Sequence, residues 1–360
     1  MNNTPIAVGL IGLGRAGVQM HLSELDRFSK QFTIAAGCDV LPERAADFVA
    51  RYPGAKAYCR AEELMGDPAV ELVSIAAPSR LHVQMARMAL AAGKTVFLEK
   101  PFALSQAGLD ELEELDKNYP GKLYLRHNRR FEACFNHIKD VIASGILGEI
   151  FEIKLRRVRH RFRDDWQTRL DQGGGQLNNW GPHLIDQALQ FLDYQLESVW
   201  SDLKQRAALG DAEDHIKLVF RGKNGMIVDV EISDAVPQTE PVATVYGTRG
   251  SLVSTDERTL QLCYLPEDYV LPQHAARLEA PPIYGEGIYS IAPDPVWIRE
   301  EIAVAPSNGF DMNDIYGYLY ATLREGKEFP VKNAEGFAVV RTTLAIRGEH
   351  PRFTSAGDIL

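Results

Sequence analysis

Cysteine is scarce in this chain of 360 residues. The four present, Cys38, Cys59, Cys134 and Cys263, stand far apart, with no CxxC pair and no metal-like spacing, which argues against a disulfide framework or a zinc module. No window approaches the roughly 18 consecutive apolar residues that a membrane span needs. Residues 1–5 lack the charged and apolar regions of a leader peptide, and Pro5 runs straight into "IAVGLIG". Basic residues are outnumbered, 39 Lys and Arg against 49 Asp and Glu, for a formal net charge of -10. A nucleic-acid partner calls for the opposite balance. What remains is a chain with 45% hydrophobic and 24% charged residues, long enough for two domains with ample core. The expectation is a cytoplasmic protein with a small-molecule ligand and no nucleic-acid or membrane partner.

The first 126 residues alternate apolar runs with helical patterns. Strands are expected at 6–11, 33–39, 71–77, 95–99 and 122–126, and helices near 16–29, 43–51, 80–92 and 105–117, with Ser105 as N-cap. Strands this apolar are covered on both faces, which means a doubly wound α/β domain. After a helix near 131–144 the rhythm turns to period two, at 149–162, 215–220, 225–233, 243–255 and 259–265. That pattern predicts a large, mainly antiparallel sheet in a second α/β domain, residues 127–360. Residues 266–309 read as an irregular excursion, and helices are expected at 311–325 and 333–347.

"GLGRAG" places Gly12, Gly14 and Gly17 directly after the first strand, with Leu13, Arg15 and Ala16 between them. The glycines suit a tight turn, backbone approach to a pyrophosphate, and close packing of helix on strand. Asp39, 22 residues after Gly17 at the end of the second strand, suits the diol of an adenine ribose and repels a 2′-phosphate, so NAD is expected rather than NADP. Arg44 tempers that choice. The bland alternative is a glycine turn that binds nothing, with Asp39 capping the helix near Pro42.

"FLEKPFALS" puts Glu99, Lys100 and Pro101 at the carboxyl end of the fifth strand, where Lys100 projects toward a cofactor cleft or is an ordinary solvated lysine. With these pieces "AAPSRLH" (76–82), "LAAGKTVFLEKP" (90–101), "NRRF" (128–131), "GGGQLNNWGPHLID" (173–186) and "YLYATLREGKEFPV" (318–331), nearly the whole chain resembles the Gfo/Idh/MocA oxidoreductases. The resemblance implies a Rossmann domain followed by an α/β domain whose open sheet mediates a homo-oligomer, dimer or tetramer. It implies hydride transfer between a nicotinamide and a sugar-like or cyclic polyol, with Lys100 at the reacting oxygen. It also implies that Ala77, Pro78, His82 and Glu99 border the cofactor.

In that family the glycine-rich helix carries an aspartate four residues before a histidine or tyrosine; here those positions are Asn179 and His183. Residues four apart share a helix face, so both would look into one cleft, with Asp186 and Gln187 a turn further on. The alternative is a helix beginning near 178–181 with an asparagine as N-cap, since Pro182 belongs in a first turn. Asparagine takes no proton and leaves His183 with a lower pKa than an aspartate would.

In "KLRRVRHRFRDDW" (154–166), strand alternation puts Arg157, Arg159 and Arg161 on one face, continued by Arg163, with Arg156, Val158 and His160 on the other. The first row is expected to pair with Asp229 and Glu231, or to lie in a subunit interface. The sharper alternative takes Arg161 or Arg163, beside Trp166, to a carboxylate or phosphate of the substrate. Arg129 would border the cleft too. The functional expectation is an NAD-dependent dehydrogenase with Lys100, His183 and Asn179 at the reacting group. The rivals are an enzyme that oxidises a sugar transiently to cleave or eliminate, and a non-catalytic regulator that senses sugar or NAD.

Overall fold

The computed structural model describes residues 4–271 and 295–354. The parallel first sheet comprises β1 (Ile6–Ile11), β2 (Phe32–Cys38), β3 (Lys56–Tyr58), β4 (Leu72–Ile75), β5 (Thr95–Glu99) and β6 (Leu123–Arg126), in the order β3-β2-β1-β4-β5-β6. β4 and β5 are buried along their whole length and β1 nearly so, as expected of strands covered on both sides. Ahead of α1 (Ser23–Arg27) a π-turn winds over Gly17–Leu22. The connections continue through α2 (Pro42–Arg51), α3 (Ala61–Gly66), α4 (His82–Ala91) and α5 (Gln106–Asn118). The Ser105 hydroxyl caps α5 by accepting from the Gly108 amide at 3.2 Å. Strand order reverses between β1 and β4, so their carboxyl ends splay into the crevice where such sheets take ligands.

The second sheet follows α6 (Ala133–Ala143). Its strands are β7 (Ile150–Val158), β8 (Leu196–Lys204), β9 (His215–Gly222), β10 (Ile227–Ser233), β11 (Ala243–Gly247), β12 (Gly250–Ser254), β13 (Thr259–Tyr264) and β14 (Ile298–Ala303), ordered β14-β13-β12-β11-β7-β10-β9-β8. Among the described residues of this sheet only β7 and β10 pair in parallel. The short α7 (Gln176–Asn179) leads into α8 (Gly181–Phe191), whose Leu184, Ile185 and Ala188 pack with Val228 and Val230 of β10 in the core beneath the sheet. Among the described residues no helix is long and apolar enough to cross a membrane.

Several expectations need correction. The stretch 266–309 is not wholly irregular, because β14 lies within it; residues 272–294 of it are outside the described residues. The run 149–162 stops being strand at Val158, and beyond it a single bridge joins His160 to Ala235. The run 243–255 is a hairpin, β11 and β12, rather than one strand. β3, α3 and β8 were not foreseen.

The last helices, α9 (Ile315–Glu325) and α10 (Asn333–Gly348), return to the first domain: Tyr316, Leu319, Phe337 and Val340, with Phe329 between the helices, belong to its core, while Val339 and Ile346 on α10 join the core of the second sheet. Residues 127–360 therefore do not all stay with the second sheet. The Tyr316 hydroxyl meets Ser74 Oγ at 2.6 Å and His21 Nδ1 at 2.8 Å. His21 Nε2 lies 3.2 Å from Glu99. Arg126, 1% exposed, donates to Glu99 at 2.7 Å and to Glu24 at 2.9 Å. Burial lifts the Glu24 carboxyl to about 7 despite that guanidinium.

Arg126→Met should therefore strand two buried carboxylates and cost about 3–5 kcal/mol, the scale for breaking a buried ion pair. Without the guanidinium both acids are raised, and a raised acid favours the folded state only while protonated. Native Glu24 titrates at about 7 with the guanidinium in place and higher without it, so the deficit in urea unfolding should be full at alkaline pH and shrink as pH falls toward about 7.

Candidate functional site

The loop after β1 has a shape only glycine allows at two points. Gly12 has φ +96°, and a Cβ there would lie 2.5 Å from the Ala76 carbonyl; a Cβ at Gly17 would lie 1.9 Å from the Gly12 carbonyl. A Cβ on Gly14 would meet only Arg44 Nη1, at 3.6 Å, so that face of the loop is open. Asp39, just past β2, accepts from the Leu13 amide at 2.9 Å, the Leu41 amide at 3.1 Å and Arg44 Nη1 at 3.3 Å. The glycine loop and the acid at the end of β2 are thus one hydrogen-bonded unit. An open loop face ending a parallel strand beside a carboxylate fits a dinucleotide, with the pyrophosphate on Gly14 and a ribose at Asp39.

A cleft of about 380 Å³ opens from this loop, within the range of small-molecule sites. Arg15, Ala16, Ala77, His82, Glu99 and Lys100 line it from the first domain; Arg129, Arg163, Trp166, Asn179 and His183 line it from beyond residue 126. Pro78 is exposed and begins the turn at 79–81. His82, 1% exposed, places its ring nitrogens 2.7 Å from the Pro101 carbonyl and 2.9 Å from the Ala77 carbonyl, tying together the loops after β4 and β5. Glu99 is occupied similarly: besides Arg126 and His21 it accepts from the Lys100 amide at 3.1 Å, which anchors the lysine's backbone.

Lys100 Nζ donates to the Asn179 backbone carbonyl at 2.8 Å. This bond joins the two domains across the cleft, and the ammonium keeps two further donors. Burial, assisted by Arg129 and Arg15 and opposed by Glu99, lowers its pKa to about 8. His183 is on the first turn of α8, one residue after Pro182, where a missing N–H costs no helical bond. Its Nδ1 is buried without a hydrogen-bond partner among the described residues. Burial first, then Lys100 and Arg129, hold the imidazole well below its ordinary value. Among the described residues no carboxylate raises it again, and position 179 is an amide.

The N-cap alternative fails: Trp180 precedes α8 and no side chain caps it, while Asn178 donates back to the Gly173 and Gly174 carbonyls. Asp186 and Gln187 do not reach the cleft. Asp186 is bound by Arg130, with His127 3.8 Å away, and Gln187 donates to Glu132 at 3.0 Å. The arginine row is also repartnered. Asp229 and Glu231 meet Arg156 and Lys217, on the face opposite to the one expected. Arg157 goes to Glu257 and Glu132, and Arg159 to Asp234 at 2.8 Å.

Sequence reasoning missed Trp180, whose ring lies under Arg129 at 4.1 Å and Arg157 at 5.4 Å. A lone aromatic between Asn179 and His183 reads as core, and no local signal distinguishes it.

A doubly wound dinucleotide-binding domain, opening at its switch point onto an α/β domain with a large open sheet, defines a two-domain oxidoreductase. Residues 6–127 match the model "Oxidoreductase family, NAD-binding Rossmann fold", and residues 135–253 match the "GFO/IDH/MocA C-terminal domain". The chain belongs to the Gfo/Idh/MocA oxidoreductase family. It is 33% identical over 263 residues to the uncharacterized oxidoreductase C26H5.09c of Schizosaccharomyces pombe, covering 69% of this chain and 70% of that one. It is 25% identical over 344 residues to the scyllo-inositol 2-dehydrogenase (NADP(+)) IolW of Bacillus subtilis, covering 93% and 91%. An oxidoreductase structure from Thermotoga maritima shares the fold with a TM-score of 0.78 at 20% identity, over 95% of this chain and 96% of that one.

Proposed function

We propose that the protein transfers a hydride between a nicotinamide and a secondary hydroxyl or carbonyl of a sugar, polyol or sugar derivative. The observation that carries this reading is the pairing of a desolvated ammonium with an unpartnered, neutral imidazole in the one cleft that begins at the glycine loop. A dinucleotide, when bound, supplies the hydride acceptor. The chain supplies the rest. His183, kept neutral by burial, takes the hydroxyl proton. Lys100 donates to the same oxygen and offsets the negative charge that develops there. Asn179 positions Lys100 through its backbone carbonyl and presents its side-chain amide to the substrate. Arg129, Arg163 and Trp166 complete the substrate side, and the open sheet of the second domain joins copies of the chain into an oligomer.

The test is a spectrophotometric screen for NADH formation over inositols, aldoses, uronates and glycosides, with Lys100→Met run beside the native protein. Net NADH from a free polyol that disappears in the variant supports the reading. Equal rates in both would remove Lys100 from the chemistry, and glycoside turnover without net NADH would point to transient oxidation.

Asp39 favours NAD over NADP in this reading, because its carboxylate stands where a 2′-phosphate would. Asp39→Asn keeps an acceptor for the Leu13 amide and removes the charge. It should raise kcat/KM for NADP relative to NAD by roughly 10-fold or more, since hydrogen bonds involving charge carry that scale; an unchanged ratio in initial-rate assays would count against the assignment.

A further inference from the structure

The chain carries a net charge of -10, yet six cations line its cleft, Arg15, Lys100, Arg129, Arg159, Arg161 and Arg163, against two carboxylates, Glu99 and Asp165. Partners account for most of the six. Arg15 lies in the glycine loop, and Lys100 is held at Asn179. Arg129 pairs with Glu132 and lies over Trp180, and Arg159 pairs with Asp234. Glu99 is taken up by Arg126.

Arg15 has no side-chain partner among the described residues but belongs to the glycine loop, on the cofactor side; beyond it, two guanidiniums are left with capacity. Arg163 donates to Asp165 and Gln167, but its Nε is buried without a partner among the described residues. The Arg161 side chain has no partner among the described residues. Its backbone is nonetheless fixed, because the Arg161 amide donates to the Asp234 carbonyl at 2.8 Å. Both arginines also line, with Asn179, the small cavity that adjoins the cleft. The three carboxylates of that cavity are already bonded: Asp234 to Arg159 and Gln176, Glu213 to Arg347, and Asp214 to the amides of Arg206, Ala207 and Ala208. The unneutralised donors therefore stand on the side of the cleft that leads to Asn179 and Lys100, away from Asp39 and Arg44 at the end of β2.

A neutral polyol gains little from such a surplus. An oxyanion gains twice: cations in a partly enclosed cleft raise its local concentration, and the planar guanidinium fork matches carboxylate and phosphate oxygens. Resting on the dehydrogenase reading above, we infer that the substrate is a hydroxylated acid, with a carboxylate or phosphate bound by Arg161 and Arg163 while its secondary hydroxyl lies at Lys100 and His183.

The test uses the full chain with NAD present and matched sugars: D-glucose, D-glucuronate and D-glucose 6-phosphate, and the same three with galacto configuration. Calorimetric binding and NADH formation are both read. At least one acid should bind 10-fold or more tighter than its neutral counterpart, and added NaCl should weaken the acid but not the neutral sugar. Arg161→Ala, at an exposed position, should cut the acid-to-neutral ratio roughly 10- to 100-fold, the range for a hydrogen bond to a charged group; Arg161→Lys should restore part of it. Uronate preference identifies the group as carboxylate, and hexose phosphate preference as phosphate. Neutral sugars binding as well as both acids, no acid binding at all, or a ratio unmoved by Arg161→Ala would overturn the inference. Acid binding that depends on Arg161 but yields no NADH would uphold the anion subsite and sink the dehydrogenase reading; NADH from neutral polyols without acid preference would do the reverse.

Discussion

Replacing His183 with alanine is expected to lower turnover by about 10²- to 10⁴-fold, the usual contribution of a positioned general base, with NAD affinity nearly intact. The ring is buried on α8, across the cleft from the glycine loop, so its loss removes no contact that Gly12, Gly14 or Asp39 makes. Its environment sets the form in which it works. Burial and the nearby cations hold its pKa well below the ordinary value, so the imidazole is neutral and proton-accepting throughout the neutral range. The acid limb of kcat/KM for oxidation should therefore lie well below pH 6.5. Asn179→Asp adds a carboxylate near the ring, favours the imidazolium, and should move that limb upward. A limb unmoved by Asn179→Asp would mean that another group titrates.

Lys100→Met is expected to reduce kcat by about 10²- to 10³-fold, the scale for removing one donor aimed at developing charge. Methionine keeps much of the volume and loses the ammonium. A folding defect is not expected. The lysine's pKa is lowered to about 8 chiefly by burial, so the folded state disfavours the charged form, and replacing it relieves rather than adds strain. The pH dependence carries the same signature. Lys100 stabilises the alkoxide only as an ammonium, so native activity in oxidation should fall as pH rises through about 8, and that alkaline limb should be missing from the residual activity of Lys100→Met. Urea unfolding of the variant separates the two roles: normal stability with lost turnover places Lys100 in the chemistry, whereas lost stability would make it structural.

How much of this was legible depends on where each signal resides. β1, β4 and β5 are apolar on both faces, and their reading needed only local sequence. The glycine spacing and Asp39 are likewise local, because turn, strand end and acid lie within one βαβ unit. The second sheet was legible in its interior and not at its edges. β8 and β14 are the two edge strands, and "LESVWSDLK" and "IREEIA" carry the charges that edges require, which obscures their period. β3 has three residues, too few to show any period. The arginine row failed for a related reason: alternation holds only inside a strand, and β7 ends at Val158, so Arg159, Arg161 and Arg163 leave the face they would otherwise share. Arg156 rather than Arg157 meets Asp229 because parallel pairing of β7 and β10 sets Arg156 opposite Glu231, a register no single strand reveals. The return of Tyr316 to Ser74 and His21, and the stacking of Arg129 on Trp180, join residues that are remote in the chain or turned by its fold, and only the tertiary structure brings them together.

The central claim is that Lys100 and His183 act on one oxygen. A double-mutant cycle on kcat/KM tests it most directly, using Lys100→Met, His183→Ala and the double variant with the substrate that gives most NADH. If the two groups serve one proton transfer at one oxygen, the double variant should be little worse than the poorer single variant. Losses that simply multiply would mean that the ammonium and the imidazole work at separate places, and would contradict the mechanism.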